Sequence, residues 1–228
     1  PRHVKNSLPC GCKITLPLTA VMTGFELGGD REPMDASGDV FAGAKLYDGT
    51  FRNLRMKGCV FENCNMTRIR MENVTADASS LRGANLFEAT ITGTGPENVA
   101  ASSFKDCDLT NVNAVRATIV NTDFRGAVCS GMDLSDAVIE NGDWSETKME
   151  RVILSDTKIA GVRFRKADFT GAAIEEGTEF RNCDFREAIF SDTLIRGAKF
   201  VECNLSGIRF EHCRGAGVEV QDCLMREM

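Results

Sequence analysis

The sequence AVCSG-MDLSD-AVIEN at residues 127–141 divides into three groups of five residues with the same internal order. Each group has an apolar residue at its centre, namely Cys129, Leu134 and Ile139. Twelve of the fourteen Phe residues in the chain occupy such a centre, so the pattern governs the largest side chains as well. The same period places apolar centres over 41–91, 104–174 and 180–225, and Gly215 is the one centre that is not apolar.

The five-residue period predicts the architecture. The position two before each centre is mostly small or β-branched, and charged residues concentrate at the other three positions. An α-helix repeats every 3.6 residues and a strand every two, so neither fits. We predict an all-β coil with four sides of five residues, in which the centre and the small residue point inward and neighbouring coils pair through their backbones. About nine coils would form a rod ~43 Å long.

Stacked coils predict which side chains meet, because residues 20 apart should lie above one another. Ile119, Ile139 and Ile159 should form one ladder, and Phe190 should lie over Phe210 in another. A third ladder should consist of Phe104, Phe124, Trp144 and Phe164.

Composition and charge limit the possible functions. The 228 residues include 27 Lys and Arg against 33 Asp and Glu, a net charge of −6. Proteins that bind nucleic acid or anionic membranes need a basic excess, so we expect no direct nucleic-acid binding. The chain has no apolar run long enough for a membrane span, and its first residues do not resemble a secretory signal. We expect a cytoplasmic protein, the alternative being a secreted effector that acts in a host cell.

Individual repeats resemble those of a known family. The units Ala84–Glu88, Ala127–Gly131, Ala137–Asn141 and Ala167–Gly171 resemble the pentapeptide-repeat family, whose motif is approximately A(D/N)LxG. The resemblance covers about residues 39–227. It implies a right-handed, quadrilateral parallel β-helix with mostly type I and type II turns.

Two interruptions and one extension depart from the period. Phe104 follows Ile91 by thirteen positions where a multiple of five is expected, and we interpret 94–101 as one repeat, centred near Val99, that is swollen by three residues and bulges from the rod. One additional residue separates Ile174 from Phe180, most economically Gly177. Residues 1–38 lie outside the period, and we predict an N-terminal cap at 1–38 followed by the β-helix at 39–228.

The sequence predicts no catalytic, cofactor or metal site. Most of the ten Cys occupy inward positions, where a thiol acts as a small apolar residue. Cys10-Gly11-Cys12 is too tightly spaced for the usual zinc pair and has no second pair. With only two His, at His3 and His212, and no nucleophile–base arrangement, we expect that the chain is not an enzyme.

One surface feature suggests a partner. Asp136, Asp156 and Glu176 are 20 residues apart, with Glu175 beside the last, so they should form an acidic column at one corner. A column of like charges indicates either a solvated face or a surface for a basic partner. The candidate partner-binding residues are therefore those of this column and of the bulge: Asp136, Asp156, Glu175, Glu176, Pro96, Glu97 and Asn98.

Three functions remain open. The first is a non-catalytic protein–protein interaction scaffold, as a bacterial effector or adaptor domain. The second is a DNA mimic that protects a type II topoisomerase, which the resemblance implies because some members of the pentapeptide-repeat family do so. The third is the targeting domain of a larger enzyme. A protein partner of unknown identity is expected in each case, and a homodimer joined end to end is a further expected assembly.

Overall fold

The structure is a computed structural model, and it describes residues 20–28, 34–93 and 102–226. All regular elements in these ranges are short strands of two or three residues. In chain order they are β1 Glu26–Gly28, β2 Met34–Asp35, β3 Thr50–Arg52, β4 Leu54–Arg55, β5 Arg70–Glu72, β6 Thr90–Thr92, β7 Ser102–Ser103, β8 Thr118–Val120, β9 Thr122–Asp123, β10 Val138–Glu140, β11 Ile153–Leu154, β12 Lys158–Ala160, β13 Ala173–Ile174, β14 Glu179–Arg181, β15 Ile189–Ser191, β16 Leu194–Arg196, β17 Lys199–Val201, β18 Arg209–Glu211, β19 Arg214–Ala216 and β20 Glu219–Gln221.

The strands stack into the four sides of a parallel β-solenoid of about nine coils. Side A is a ten-stranded sheet in the order β1-β3-β5-β6-β8-β10-β12-β14-β17-β20. Side B contains the pairs β2-β4 and β7-β9, side C the pair β15-β18, and side D the four-stranded sheet β11-β13-β16-β19. Isolated parallel bridges, such as Val40 with Val60 on side C, continue the sides between these sheets. The predicted all-β fold is thus confirmed.

The predicted ladders are also confirmed. Ile139 pairs with Ile119 below and Ile159 above. The ring of Phe190 stacks on that of Phe169 at 4.7 Å and lies 5.4 Å from that of Phe210. In the third ladder the rings of Phe104, Phe124, Trp144 and Phe164 follow one another at 5.3, 4.2 and 6.2 Å.

Burial follows the five-residue register closely. From Phe41 to Leu205 the centres are buried, as are the small residues two before them, among them Ala84, Cys107 and Thr157. Buried apolar area is the main favourable term, about 25 cal/mol per Å². The small residues leave room for the rings, so that the narrow interior is filled by one continuous core.

The corners need backbone that turns sharply. The last residue of most units has a left-handed conformation, with φ near 55° at Asn63, Asp106 and Asn141. Asn and Asp tolerate this region better than other residues with side chains, and Gly has no steric penalty there. Gly83 shows a second reason for glycine, because a Cβ atom there would lie 2.5 Å from Oδ1 of Asn63 in the coil below.

At the first interruption the offset between paired coils is longer than usual. Ile91 pairs with Ile119 and Thr75 with Ser103, an offset of 28 residues where an ordinary coil has 20. The hydroxyl of Ser102 donates to the carbonyl of Thr92 at 2.8 Å. The chain therefore has eight residues more here than an ordinary coil has, in the stretch where the repeat centred near Val99 was predicted. Residues 94–101 themselves, with Pro96, Glu97 and Asn98, lie outside the described residues.

The second interruption lies where expected. Ile153 pairs with Ala173, 20 residues on, whereas Lys158 pairs with Glu179, 21 residues on. Gly177 has φ 77° and lies above Asp156, whereas Gly197 of the next coil lies above Glu176. The additional residue therefore lies within the turn of Glu175, Glu176 and Gly177, which includes the predicted Gly177.

The solenoid also begins earlier than residue 39. Leu27 pairs with Phe51, and Met34 with Leu54, so residues 20–28 and 34–38 extend the coil rather than form a separate cap. Their apolar side chains gain burial by stacking on the next coil. At the other end Phe210 and Met225 are 43% and 49% exposed, because the described residues provide no coil above them.

Trp144 allows a prediction about the aromatic ladder. Its indole Nε1 is buried without a hydrogen-bond partner among the described residues, which costs about 1–3 kcal/mol. Trp144→Phe removes this N–H group but also some packing volume, so we expect the free energy of unfolding to change by less than about 1 kcal/mol. Trp144→Ala should instead cost about 3–5 kcal/mol. Urea unfolding of both variants measures the difference, and a large loss in Trp144→Phe would show that the indole N–H is satisfied.

Candidate interaction surface

The predicted acidic column lies at the corner between sides D and A, within a longer column of mixed charge. Arg68 binds Asp48 below it through two hydrogen bonds of 2.6 and 2.9 Å. Higher up, Arg116 lies 3.7 Å from a carboxylate oxygen of Glu88 and 3.9 Å from one of Asp136. The lower part of this corner therefore alternates in sign, and only its upper part is acidic.

The structure brings together only part of the predicted column. Asp136 and Asp156 occupy successive corner places, both exposed and both with left-handed backbone. Gly177 takes the third place, and a side chain there would collide with the carboxylate of Asp156. Glu176 is displaced to the residue before this place because of the additional residue in its turn. Lys158 approaches the same corner and donates to the carbonyl of Gly177 at 2.8 Å.

The two glutamates nevertheless add to the acidic corner. Glu175 follows strand β13 on side D and is half-buried, whereas Glu176 is exposed at the turn. In the part of the chain that the structure describes, the carboxylates of Asp156, Glu175 and Glu176 have neither an ion-pair nor a hydrogen-bond partner. We call Asp136, Asp156, Glu175 and Glu176 the acidic patch.

Sequence reasoning missed an apolar ladder beside the acidic patch. The ladder consists of Ile153, Ala173 and Leu194, which stack on the outer face of side D. Each of them is the residue directly before an apolar centre, a position that points to solvent. Ile153 is 39% exposed, and the other two are half-buried. The sequence contains a pattern that could have predicted this ladder, because the outward position is polar or charged in most units but apolar in these three successive coils. An exposed apolar strip flanked by charges is typical of interaction surfaces.

Side D becomes basic above the ladder. Arg196 and Arg214 project from strands β16 and β19 and have no carboxylate partner among the described residues. They line a surface cavity of about 710 Å³ together with Asp192 and His212, whose Oδ1 and Nδ1 atoms are 3.9 Å apart. Side D thus carries acidic, apolar and basic residues in succession along the solenoid.

Carboxylates on side B are neutralised instead. Lys105 and Arg125 both contact Asp123, at 3.2 and 2.8 Å. Burial of Asp184 opposes its ionisation, but hydrogen bonds from Arg186 and Arg165 outweigh this effect and lower its pKa to about 2. Side B therefore does not present the continuous negative charge that a DNA-like surface would need.

Several inward thiols are held protonated, whereas a hydrogen bond with Cys183 lowers the pKa of Cys203. Burial raises the pKa of Cys59 and Cys64 to about 11 and that of Cys107 to about 12. A hydrogen bond with Cys203, together with burial, raises the pKa of Cys183. A protonated thiol is a poor nucleophile and metal ligand. In residues 20–28, 34–93 and 102–226, no group of three His, Cys, Asp or Glu side chains could hold a metal ion.

Within the same described ranges, no helix has the length and hydropathy that a membrane crossing requires.

Comparison with family models supports the repeat register. A model described as pentapeptide repeats, eight copies, matches residues 55–93, 102–141 and 133–171. A second model, pentapeptide repeats in nine copies, matches residues 159–204. Together they match more than half of the chain, and the first breaks at the interruption after residue 93. No curated protein matches the sequence.

One of the similar solved structures shows the same fold. HetL, a pentapeptide repeat protein involved in heterocyst differentiation regulation from the cyanobacterium Nostoc sp. strain PCC 7120, has a TM-score of 0.60 and 16% identity over 90% of this chain and 86% of its own. QnrB1, a plasmid-mediated fluoroquinolone resistance protein, has a TM-score of 0.41 and 18% identity over 89% and 92%. At these identities the likeness to HetL shows the fold alone, and the QnrB1 match adds no argument.

Proposed function

Because the chain belongs to the pentapeptide-repeat family, we propose that it is a non-catalytic scaffold for protein–protein interaction, working as an adaptor or effector domain. The inward side chains are occupied by packing, and burial holds the thiols of Cys59, Cys64 and Cys107 protonated. What remains available to other molecules is the outer surface of a rod held rigid by stacked coils. Its sides offer flat, continuous surfaces to a partner.

The acidic patch beside the apolar ladder is the observation that supports this proposal. Asp156, Glu175 and Glu176 have no cation partner among the described residues, although many other carboxylates of the chain do. Ile153 is exposed next to them. A partner with basic side chains around an apolar centre would gain both charge complementarity and burial there. We therefore assign a basic protein partner to this surface.

Charge reversal tests the proposal. We expect Asp136→Lys, Asp156→Lys and Glu176→Lys in one chain to reduce partner binding by about tenfold or more, because like charges would then face each other. Stability should change little, since Arg116 and Lys166 already occupy left-handed corners. Quantitative affinity capture with immobilised wild type and variant, at low and high salt, measures the effect.

A matched control separates site from net charge. Glu140→Lys, Glu146→Lys and Glu202→Lys change the charge equally at exposed positions away from the patch, where the described residues provide no ion-pair partner. The control should bind as wild type does. Equal loss in both variants, or binding that ignores salt, would contradict a site at the acidic patch.

The second candidate, a DNA mimic, is disfavoured by charge density. Duplex DNA has about one charge per 1.7 Å, so a rod of ~43 Å would carry roughly 25. The chain has a net charge of −6, and arginines interrupt its acidic corner at Arg68 and Arg116. Inhibition or protection of a type II topoisomerase in a supercoiling assay, lost in the acidic-patch variant, would reverse this assignment.

A further inference from the structure

The outer face of side D is self-complementary. Its four strands run parallel in the order β11-β13-β16-β19. The central strands present Ala173 and Glu175 on one and Leu194 and Arg196 on the other, with Ala173 opposite Leu194 in the register. In these two central strands, apolar residues thus lie in one half of the face and opposite charges in the other. Neither Glu175 nor Arg196 has an ion-pair partner among the described residues.

A two-fold axis between β13 and β16 would place the outer face of side D against the same face of a second copy. An axis parallel to the strands maps β13 onto β16 and β11 onto β19, and it keeps each residue in its own half of the face. Ala173 then meets Leu194 of a second copy, and Glu175 meets Arg196. Because the contact is isologous, each pair occurs twice.

The outer strands fit the same operation. Ile153 on β11 meets Arg214 from β19 of the second copy. The aliphatic stem of an arginine packs well on an apolar side chain while its guanidinium group stays in water. Ile153, which is 39% exposed, would thereby be covered.

Charge selects between the two possible orientations. If the two-fold axis ran instead parallel to the long axis of the solenoid, each half of the face would lie against the opposite half of the second copy. Leu194 would then meet the guanidinium group of Arg196, and Ala173 would meet Glu175. Only the antiparallel arrangement joins apolar to apolar and acid to base. We propose that the protein forms an antiparallel homodimer through the outer face of side D, centred between Ala173 and Leu194.

The contact is small, which sets its strength. Four strands at ~4.8 Å cover a height of about 19 Å, so each copy buries well under the roughly 800 Å² of a standard interface. The dimer is therefore weak and forms with rising protein concentration. The dimer covers Ile153 and Glu175, so it would compete with the basic partner of the proposed function for part of one surface. It goes beyond the scaffold function and needs no other partner, so either proposal can fail without the other.

Sedimentation equilibrium of the pure protein over a range of concentrations tests the dimer. Glu175→Arg and Arg196→Glu each place like charges across the axis, and we expect each to lower the association constant about tenfold or more. The double variant Glu175→Arg/Arg196→Glu restores opposite charges and should recover association. An equimolar mixture of the two single variants should recover it as well, because both cross-axis pairs are then attractive.

Three results would overturn the proposal: a monomer at every concentration, association that both single variants leave unchanged, or a double variant and mixture that stay as weak as the single variants. An end-to-end dimer through the exposed Phe210 and Met225 is the competing arrangement. It would weaken in Phe210→Ser and would not respond to residues 175 and 196. The reversed pattern, with Phe210→Ser dimerising as wild type does, supports side D.

Discussion

Phe164→Asp is expected to unfold the coils around it and to cost about 5 kcal/mol or more in the free energy of unfolding. Phe164 is buried, and its ring lies 5.1–6.3 Å from those of Trp144, Phe169, Phe180 and Phe185. A carboxylate there would lose its hydration without gaining a partner and would leave a cavity. Because each coil is stabilised mainly by its neighbours, the damage should spread along the rod.

The chain offers a control with the same chemistry. Phe87 lies on the outer face of side D, where it is half-buried beneath the guanidinium group of Arg116 at 5.8 Å. Phe87→Asp makes the identical change at an outward position, and we expect it to cost no more than about 1 kcal/mol. Denaturant unfolding followed by circular dichroism compares the two variants. Equal costs would contradict the assignment of centres to the interior.

The second large effect is a loss of stability at alkaline pH. The pKa of Cys59 and Cys64 is about 11 in the folded chain and that of Cys107 about 12, against about 9 for an exposed thiol. A group whose pKa is raised by folding contributes its full stabilisation below its unfolded pKa and loses it as the pH rises through its folded pKa. Stability should therefore fall from pH 9 to pH 12. A difference of one pKa unit corresponds to about 1.4 kcal/mol, so each thiol accounts for a loss of roughly 3–4 kcal/mol in the free energy of unfolding.

Replacing the thiols isolates their contribution. Cys59→Ala, Cys64→Ala and Cys107→Ala in one chain should flatten the fall between pH 9 and 11, because alanine is already the small inward residue at Ala84 and Ala137. Thermal unfolding at a series of pH values measures both proteins. If the triple variant loses stability as steeply as wild type does, the alkaline transition belongs to other groups, such as lysines in ion pairs.

The regular coil could be predicted from the sequence, but its irregular turns could not. The register of Ile119, Ile139 and Ile159 could be predicted because each inward side chain must be apolar, and a shift by one residue would bury charge. The spacing of thirteen between Ile91 and Phe104 could not be interpreted in the same way, because an apolar Val99 resembles a centre and spacing alone does not show whether the chain re-enters the core.

The candidate surface was predicted only in part for a related reason. Outward side chains are not constrained by packing, so Asp156 and Glu176 looked equivalent at a spacing of 20. The structure shows that they are not equivalent, because Gly177, in left-handed conformation, lies above Asp156 and Glu176 is the residue before it. The ladder of Ile153, Ala173 and Leu194 became visible only when strand pairing placed the three residues together.

A cysteine scan of residues 152–156 tests most directly whether the five-residue register defines both the core and the interaction surface. Single cysteines would be placed in a background without Cys10, Cys12, Cys213 and Cys223, leaving only buried native thiols among the described residues. We expect rapid alkylation of the native protein at positions 153, 155 and 156, and labelling at 152 and 154 only after unfolding. Labelling of 152 and 154 as fast as 153, or protection of 153 and 156 in the monomer, would contradict it.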